Sequence, residues 1–474
     1  MTLEAFKKDL ALAATDGSLA SGVIGDGVMI PGPAGDVPLV YADYVASGRA
    51  LRQVEEFITS QVLPFYANSH TEASFCGSYV TRLRRAARAE IARVTHCGPE
   101  DAVVFAGSGA TAGLNRLVSL FGVNEAFNPV VFIGPYEHHS NILPWRESKA
   151  KVVEIPEAAE GGVDLAALQS ALHDHASCDL IIGSFSAASN VTGIVTDPDP
   201  ISRMMHAAGG LVIWDYAGGG PYLPISMAGE HGAHKDAVVV SPHKFPGGPG
   251  ASGVLLVNTG AVQRRCPSWP GGGTVSFVSP WGHEYSEDLA AREEAGTPNV
   301  IGDIRAALTF LVKEAVGEAQ IAAKEARFAA MARAGWAVNP QLTLLGHESA
   351  HRLPIFSFTV KGISGEAVHQ QLFTRMLSDH YGIQARGGCA CAGPYAHRLL
   401  GIERDESEAL FAALESGKEL QKPGWVRLNF SYLMEEEMVQ YIIDSVNDLT
   451  QRAEELAETY LADPKTARFQ SRAA

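Results

Sequence analysis

The chain has 474 residues, 46% apolar, 8% aromatic and 19% charged, and 37 Lys and Arg against 53 Asp and Glu leave a formal charge of −16. This is globular composition, long enough for two or three domains and for burial of about three quarters of the unfolded surface. The negative balance excludes extended contact with phosphate backbones or anionic lipid, since both need clustered Lys and Arg. Six scattered cysteines in a chain of this length do not make a secreted disulfide framework. The first twenty residues carry only the short apolar run Leu10 to Ala14, too brief for a secretory signal, and no uncharged apolar run reaches about 18 residues. A cytoplasmic protein without nucleic-acid or membrane partners is expected.

In chain order, residues 1–40 are rich in Gly and Pro and read as an arm packed on the body. Tyr79 to Val94 has helical spacing and carries Arg82, Arg84, Arg85, Arg88 and Arg93 with no aromatic residue among the arginines, which predicts a solvated or salt-bridged face. Short apolar runs then alternate with helical stretches: Ala102 to Phe105, Pro129 to Ile133, Lys151 to Ile155, Asp179 to Phe185, Leu211 to Trp214, Ala237 to Val240 and Gly253 to Val257. Such runs are buried strands of an α/β protein with a mostly parallel sheet. Leu165 to His173 is a connecting helix, and another is punctuated by Asp199 as N-cap, Pro200 at the first helical position and Gly209 and Gly210 at its close. The sheet domain spans 41–300. From 301 to 474 the texture changes to an Ala-rich helical stretch ending near Trp336, strands Leu353 to Val360 and Val426 to Phe430, and a helix from Glu435 to Leu461. This predicts a smaller α+β domain, with a frayed tail after Pro464.

Chemistry concentrates where predicted strands end. Ser241-Pro-His-Lys244 leaves the strand Ala237 to Val240 into a glycine-rich turn, where partial burial suits a lysine to Schiff-base chemistry. The same residues match the S-x-x-K of serine acyl enzymes, but the companion S-D-N and K-T-G motifs are missing. Asp215, at the end of another strand, points toward the crevice where α/β folds bind ligands and suits a pyridinium nitrogen, or simply caps a turn. Gly107-Ser-Gly-Ala-Thr111 opens a helix and offers a phosphate cradle, with its third glycine one place too late for a dinucleotide fingerprint. In Glu137-His-His-Ser-Asn141 adjacent histidines point apart, so one faces a site and the other packs. Arg386-Gly-Gly-Cys-Ala-Cys-Ala-Gly-Pro394 is a glycine-flanked C-x-C whose arginine favours a thiolate; a zinc site would need two more ligands, and only His397 is near. Inert buried cysteines are the plainer alternative.

Taken in order, GSGAT, EHHSN, SAASNVTG, WDYAGG, SPHK, EAGTPN and RGGCACAGP resemble the class-V aminotransferase-like enzymes of fold type I, which use pyridoxal 5′-phosphate. Within them the chain is similar to cysteine desulfurases of the selenocysteine-lyase-like branch and to molybdenum cofactor sulfurase. The resemblance implies a large mostly parallel sheet domain plus a smaller α+β domain, and a homodimer. It implies that Lys244 carries the cofactor and shuttles a proton, Asp215 pairs with the ring nitrogen and His138 stacks on the ring. Asn190 would contact ring oxygen or substrate, Ala110, Thr111, Ser241 and His243 would hold the phosphate, and Thr297 would reach the phosphate of a second subunit. Arg427 and Arg386 would bind the substrate, Arg427 as the anchor of its carboxylate and Arg386 standing before the catalytic Cys391. The implied reaction releases alanine from L-cysteine or a close relative, leaves a persulfide on Cys391 and passes sulfur to an acceptor protein. Cys389 and Ala390 replace the histidine pair usual in this branch, and Gly218 replaces a glutamine. The alternative is an aminotransferase, epimerase or Cβ lyase acting on another amino acid. No metal is implied.

Overall fold

The computed structural model describes residues 3–69, 72–229, 232–389 and 391–472. Its packing separates two units, one of Met1–Ile24, Ser47–Ala188 and Val195–Glu318, the other of Gly25–Ala46, Ser189–Ile194 and Ala319–Ala474.

In the first unit the apolar runs form a seven-stranded sheet among the described residues. Its order is Asp101–Gly107, Gly253–Asn258, Ala237–Val240, Leu211–Asp215, Leu180–Ser186, Pro129–Ile133, Lys151–Glu154. Gly253–Asn258 is antiparallel to both neighbours, and every other pairing is parallel. Pro129–Ile133 and Ala237–Val240 are buried throughout, as expected of strands covered on both faces. Helix Gly109–Leu120 lays Leu114, Leu117 and Leu120 against Val104, Val239 and Leu255.

Helix Phe75–Val94 is capped by Ser74 Oγ, which accepts from Gly77 N. Four of its five arginines have acidic partners, Arg84 with Glu294 and Asp303, Arg88 with Glu294, Arg85 with Glu72, and Arg93 with Glu90 and Glu314, while Arg82 donates to Ser78 Oγ. The connecting helix runs Pro198–Ala207 and its N-cap is Asp197, whose carboxylate accepts from Asp199 N, two residues before the expected cap. Pro198 then takes the first helical position, where a missing N–H costs nothing.

The packing divides the chain differently from the expected boundaries at 40 and 300. Helix Val300–Val316 stays with the first unit because almost its whole circumference is buried there, against helices Phe75–Val94 and Leu3–Asp16. Gly317, at φ +84, separates it from helix Glu318–Ala337. The expected arm is split, its helix Leu3–Asp16 in the first unit and its strand Val40–Tyr41 in the second.

The second unit packs Trp336, Phe356, Phe358 and Phe430 with Ile443 and Val446 of helix Glu436–Ala457. Its sheet pairs Ile355–Lys361 with Trp425–Asn429, and the latter with Arg386–Gly388, all antiparallel. The tail is ordered where fraying was expected. Tyr460–Asp463 and Arg468–Ser471 form a hairpin, with Lys465 N and Thr466 Oγ1 both donating to the Asp463 carboxylate in the turn. Among the described residues no helix is long and apolar enough to cross a membrane.

Candidate active site

In the first unit the exits of neighbouring strands converge. After Asp101–Gly107 the chain turns through Gly107 and Gly109, both at positive φ, into helix Gly109–Leu120. The first-turn N–H groups of a helix have no intrahelical acceptor, and the Ser108 side chain does not cap these. Ala110 N donates to Ser241 Oγ at 2.9 Å, tying the helix start to the turn after Ala237–Val240. A Cβ on Gly109 would lie 2.9 Å from both Ser241 Oγ and His243 Cε1, so the cradle is closed to any larger residue. Burial, with the neighbouring Lys244 charge, pushes His243 down to about 4, which leaves it a neutral ring at ordinary pH.

Thr111 Oγ1 shares a 2.8 Å hydrogen bond with Ser140 Oγ, which lies 3.0 Å from His138 Nδ1. Ser140 N also donates to that Nδ1 at 3.1 Å, so this nitrogen keeps its lone pair and the neutral ring carries its proton on Nε2. Lys244 sits half-buried in the short turn Pro242–Lys244. Asp215 ends its strand fully enclosed, its Oδ1 accepting from Ala217 N at 2.7 Å. Burial raises its proton affinity, opposed by that N–H and by the Lys244 charge.

Sequence reasoning misses a polar layer beneath these residues. Glu137 Oε1 accepts from Ser186 N at 2.8 Å, and Oε2 accepts from Ser186 Oγ at 2.6 Å and Asn141 Nδ2 at 2.5 Å. Asn141 Oδ1 accepts in turn from Trp145 Nε1 and Ser184 Oγ. Burial pushes the Glu137 carboxyl up to about 7, and the nearby Asp215 charge adds to this. The signal is present as the first and last letters of EHHSN, on either side of the histidines that draw attention to the motif.

Thr297 is exposed just after Gly296, and among the described residues no hydrogen bond joins it to the group above. Its loop is fastened by Glu294, which accepts from Phe105 N at 2.7 Å and from Arg84 and Arg88; burial opposes its charge, but the two arginines hold the carboxyl below its ordinary range.

The second unit holds the other expected residues. Strand Val40–Tyr41 runs parallel to Ile383–Gln384, with Val40 opposite Ile383 and Tyr41 opposite Gln384, and Arg386 is opposite Arg427 in the antiparallel pair. Continuing these registers sets Asp43 beside both arginines. Asp43 Oδ2 accepts from Arg386 Nε at 3.0 Å and Oδ1 from Arg427 Nη2 at 2.9 Å. Arg427 is buried, donates from Nη1 to the Asn190 carbonyl at 3.0 Å, and among the described residues has no partner at Nε. Burial lowers its proton affinity, Asp43 restores part of it, Arg386 opposes and Cys391 favours it.

Cys391 is exposed and holds a left-handed φ of +55, uncommon for a residue with a Cβ. Cys389 is half-buried, and its carbonyl accepts from Ala392 N; Ala390 lies outside the described residues. His397 spends Nδ1 on the Gly393 carbonyl and Nε2 on Ser407 Oγ, which argues against recruiting it as a zinc ligand. A group not singled out from sequence, His206, His234 and Asp236, is internally bonded: His206 Nε2 meets Asp236 at 2.9 Å and Nδ1 meets the Gly232 carbonyl at 3.1 Å.

A model of the aminotransferase class-V family matches residues 40–442. A probable cysteine desulfurase of Halalkalibacterium halodurans is 26% identical over 400 residues, which is 81% of this chain and 94% of that protein. A cysteine desulfurase of Dickeya dadantii is 28% identical over 368 residues, 76% of this chain and 85% of that protein. Among solved structures, the apo cysteine desulfurase of Thermococcus onnurineus matches with a TM-score of 0.71 at 22% identity, over 87% of this chain and 94% of that one. The α/β architecture is that of the fold type I pyridoxal-phosphate enzymes, as the motifs imply.

Proposed function

The chain belongs to the class-V aminotransferase family, and from that premise we propose that it is a pyridoxal-phosphate-dependent desulfurase, cleaving the C–S bond of L-cysteine or a close relative and collecting the sulfur on Cys391. The observation that carries this reading is the pairing, within one unit, of an exposed thiol with a buried guanidinium. Among the described residues Arg427 Nε has no partner, and exposed Cys391 follows shortly after the strand Arg386–Gly388, which pairs with the strand carrying Arg427.

Three features of the first unit fit the cofactor. The helix start at Gly109–Thr111 is not capped by Ser108, and its Ala110 N–H points to Ser241 Oγ in a cradle that a Cβ would fill. Asp215 is a buried carboxylate at a strand end, and Lys244 follows the next strand. When bound, pyridoxal phosphate supplies an electron sink for charge developing at the substrate Cα. Lys244 would hold it covalently and move the Cα proton. Asp215 would balance the charge of the ring nitrogen, and His138, oriented by Ser140, would present its ring face. Ala110 N–H, Thr111, Ser241 and neutral His243 would hold the phosphate without adding positive charge to it.

Arg427 would take the substrate carboxylate beside Asn190, a task suited to a planar donor. The Cys391 thiolate would attack the substrate sulfur, forming an S–S bond as the Cβ–S bond breaks; the electron pair left on carbon takes a proton. L-cysteine and the Cys391 thiol thus become alanine and a Cys391 persulfide. Thr297, exposed on a loop fixed by Glu294, would serve the second subunit of a homodimer. The proposal extends to a cytoplasmic setting and a sulfur-acceptor protein.

The second reading, a transaminase, epimerase or Cβ lyase, draws on Cys389 and Gly218, which depart from the desulfurase pattern. Alanine release from L-cysteine by Cys391→Ser separates the two. A desulfurase loses it by a factor of about a hundred or more, whereas under the second reading neither the parent nor the variant releases alanine from L-cysteine. Lys244→Ala tests the cofactor: covalently bound cofactor surviving that change would sink both readings.

A further inference from the structure

We infer that Asp43 sets the substrate charge class: it is a built-in carboxylate that occupies one of two paired arginines, so that the site accepts an amino acid with one carboxylate and disfavours one with two. This rests on the reading of Arg427 as the substrate anchor.

Parallel pairing of Val40–Tyr41 with Ile383–Gln384, and Ala42 N donating to the Gln384 carbonyl, bring residue 43 level with Arg386. Antiparallel pairing sets Arg386 opposite Arg427, and Asn429 N closes the row onto the Ala42 carbonyl. Three segments remote in sequence therefore deliver two cations and one anion to a single line. Asp43 divides its oxygens between them, Oδ2 to Arg386 Nε and Oδ1 to Arg427 Nη2. It is 8% exposed, and Arg427 is 3% exposed, so their charges meet at reduced dielectric rather than in bulk water.

Two guanidiniums and one carboxylate leave a single positive charge. Arg427 has five N–H donors, of which two go to Asp43 and the Asn190 carbonyl, and its Nε is unpartnered. One incoming α-carboxylate neutralises that charge. A second carboxylate would find the charge of the other guanidinium, Arg386, already countered by Asp43 through Nε, and would meet the Asp43 charge itself. Selectivity of this kind comes from a repulsive element beside the attractive one. Asp43 touches neither substrate nor cofactor in this scheme and is a positioning residue, acting through the two arginines.

The test is equilibrium binding, without turnover. Cofactor-loaded protein is titrated by calorimetry with L-alanine, which has one carboxylate, and L-aspartate, which has two. The parent binds alanine at least tenfold more tightly. Asp43→Asn frees the second guanidinium and narrows or inverts that preference by tenfold or more. Arg386→Gln has the opposite sign and widens it, and the double variant Asp43→Asn/Arg386→Gln returns the ratio to within a few-fold of the parent. A general loss of structure would weaken both ligands together and would not move the ratio in opposite directions. Should Asp43→Asn fail to fold, Arg386→Gln and the double variant carry the test. An alanine-to-aspartate ratio unchanged within twofold in the folded variants, with both ligands still binding, overturns the role of Asp43. A parent that binds neither amino acid overturns instead the assignment of Arg427 as anchor, and with it the proposed function.

Discussion

Replacing Glu137 by Gln isolates the buried polar layer below the candidate site, because it removes a charge while keeping nearly the same shape. The Glu137 carboxyl is pushed from the ordinary 4.5 up to about 7, first by burial and then by Asp215. The folded chain therefore holds this proton more tightly than the unfolded one. The stabilisation is fully present below 4.5 and is lost as pH rises through about 7. At 1.36 kcal/mol per pH unit the whole effect is about 3.4 kcal/mol, of which about 2.5 kcal/mol falls between pH 5 and pH 8. The Gln amide nitrogen meets either Asn141 Nδ2 or the Ser186 donors, a cost that is the same at every pH and leaves the slope untouched. Urea unfolding of cofactor-free parent and Glu137→Gln protein, at pH 5 and pH 8, reads the difference. The variant should gain about 2.5 kcal/mol on the parent over that interval. Parallel pH dependence in the two proteins would refute the assignment of a strained, titrating carboxyl at this position.

The same geometry sets two further outcomes. Gly109→Ala should weaken cofactor retention about tenfold or more, since its Cβ would sit 2.9 Å from Ser241 Oγ and His243 Cε1 on a residue at φ +61; retention after dialysis, read by absorbance, checks it, and undiminished retention contradicts it. Glu294→Ala removes the carboxylate from Arg88, which keeps only the Val103 carbonyl and the Phe105 ring face, takes one of the two acids from Arg84 and leaves Phe105 N without its acceptor in a largely buried setting. It should cost about 3 kcal/mol in urea unfolding, the range for breaking a buried ion pair by removing one partner; a change below about 0.5 kcal/mol would show that the network contributes no net stability.

The parts legible in sequence are those written locally. Buried parallel strands announce themselves as apolar runs, and Pro129–Ile133 and Ala237–Val240 begin and end where the runs do. The residues at their exits, Asp215, Ser241 and Lys244, can be singled out because strand ends in α/β folds are where ligands bind. What escapes depends on partners far apart in the chain. Glu137 finds Ser186 on another strand, 49 positions away, and Asp43 finds Arg386 and Arg427 through a register that joins three separate segments. The helix cap lies at Asp197 rather than Asp199 because two aspartates flank the same proline, and only the backbone decides which precedes the first turn. By composition helix Val300–Val316 reads as the start of the small domain, since it shares its Ala-rich, apolar texture with helix Glu318–Ala337; its burial against Phe75–Val94 is a tertiary fact.

The central claim is sulfur transfer to Cys391, and a single-turnover experiment tests it most directly. Cofactor-loaded protein is mixed with one equivalent of L-cysteine and no reductant, alanine is quantified, and the peptide containing Cys391 is weighed. The account predicts about one alanine per active site, with one added sulfur on Cys391. Alanine absent and Cys391 unmodified, in protein that carries its cofactor, would contradict it.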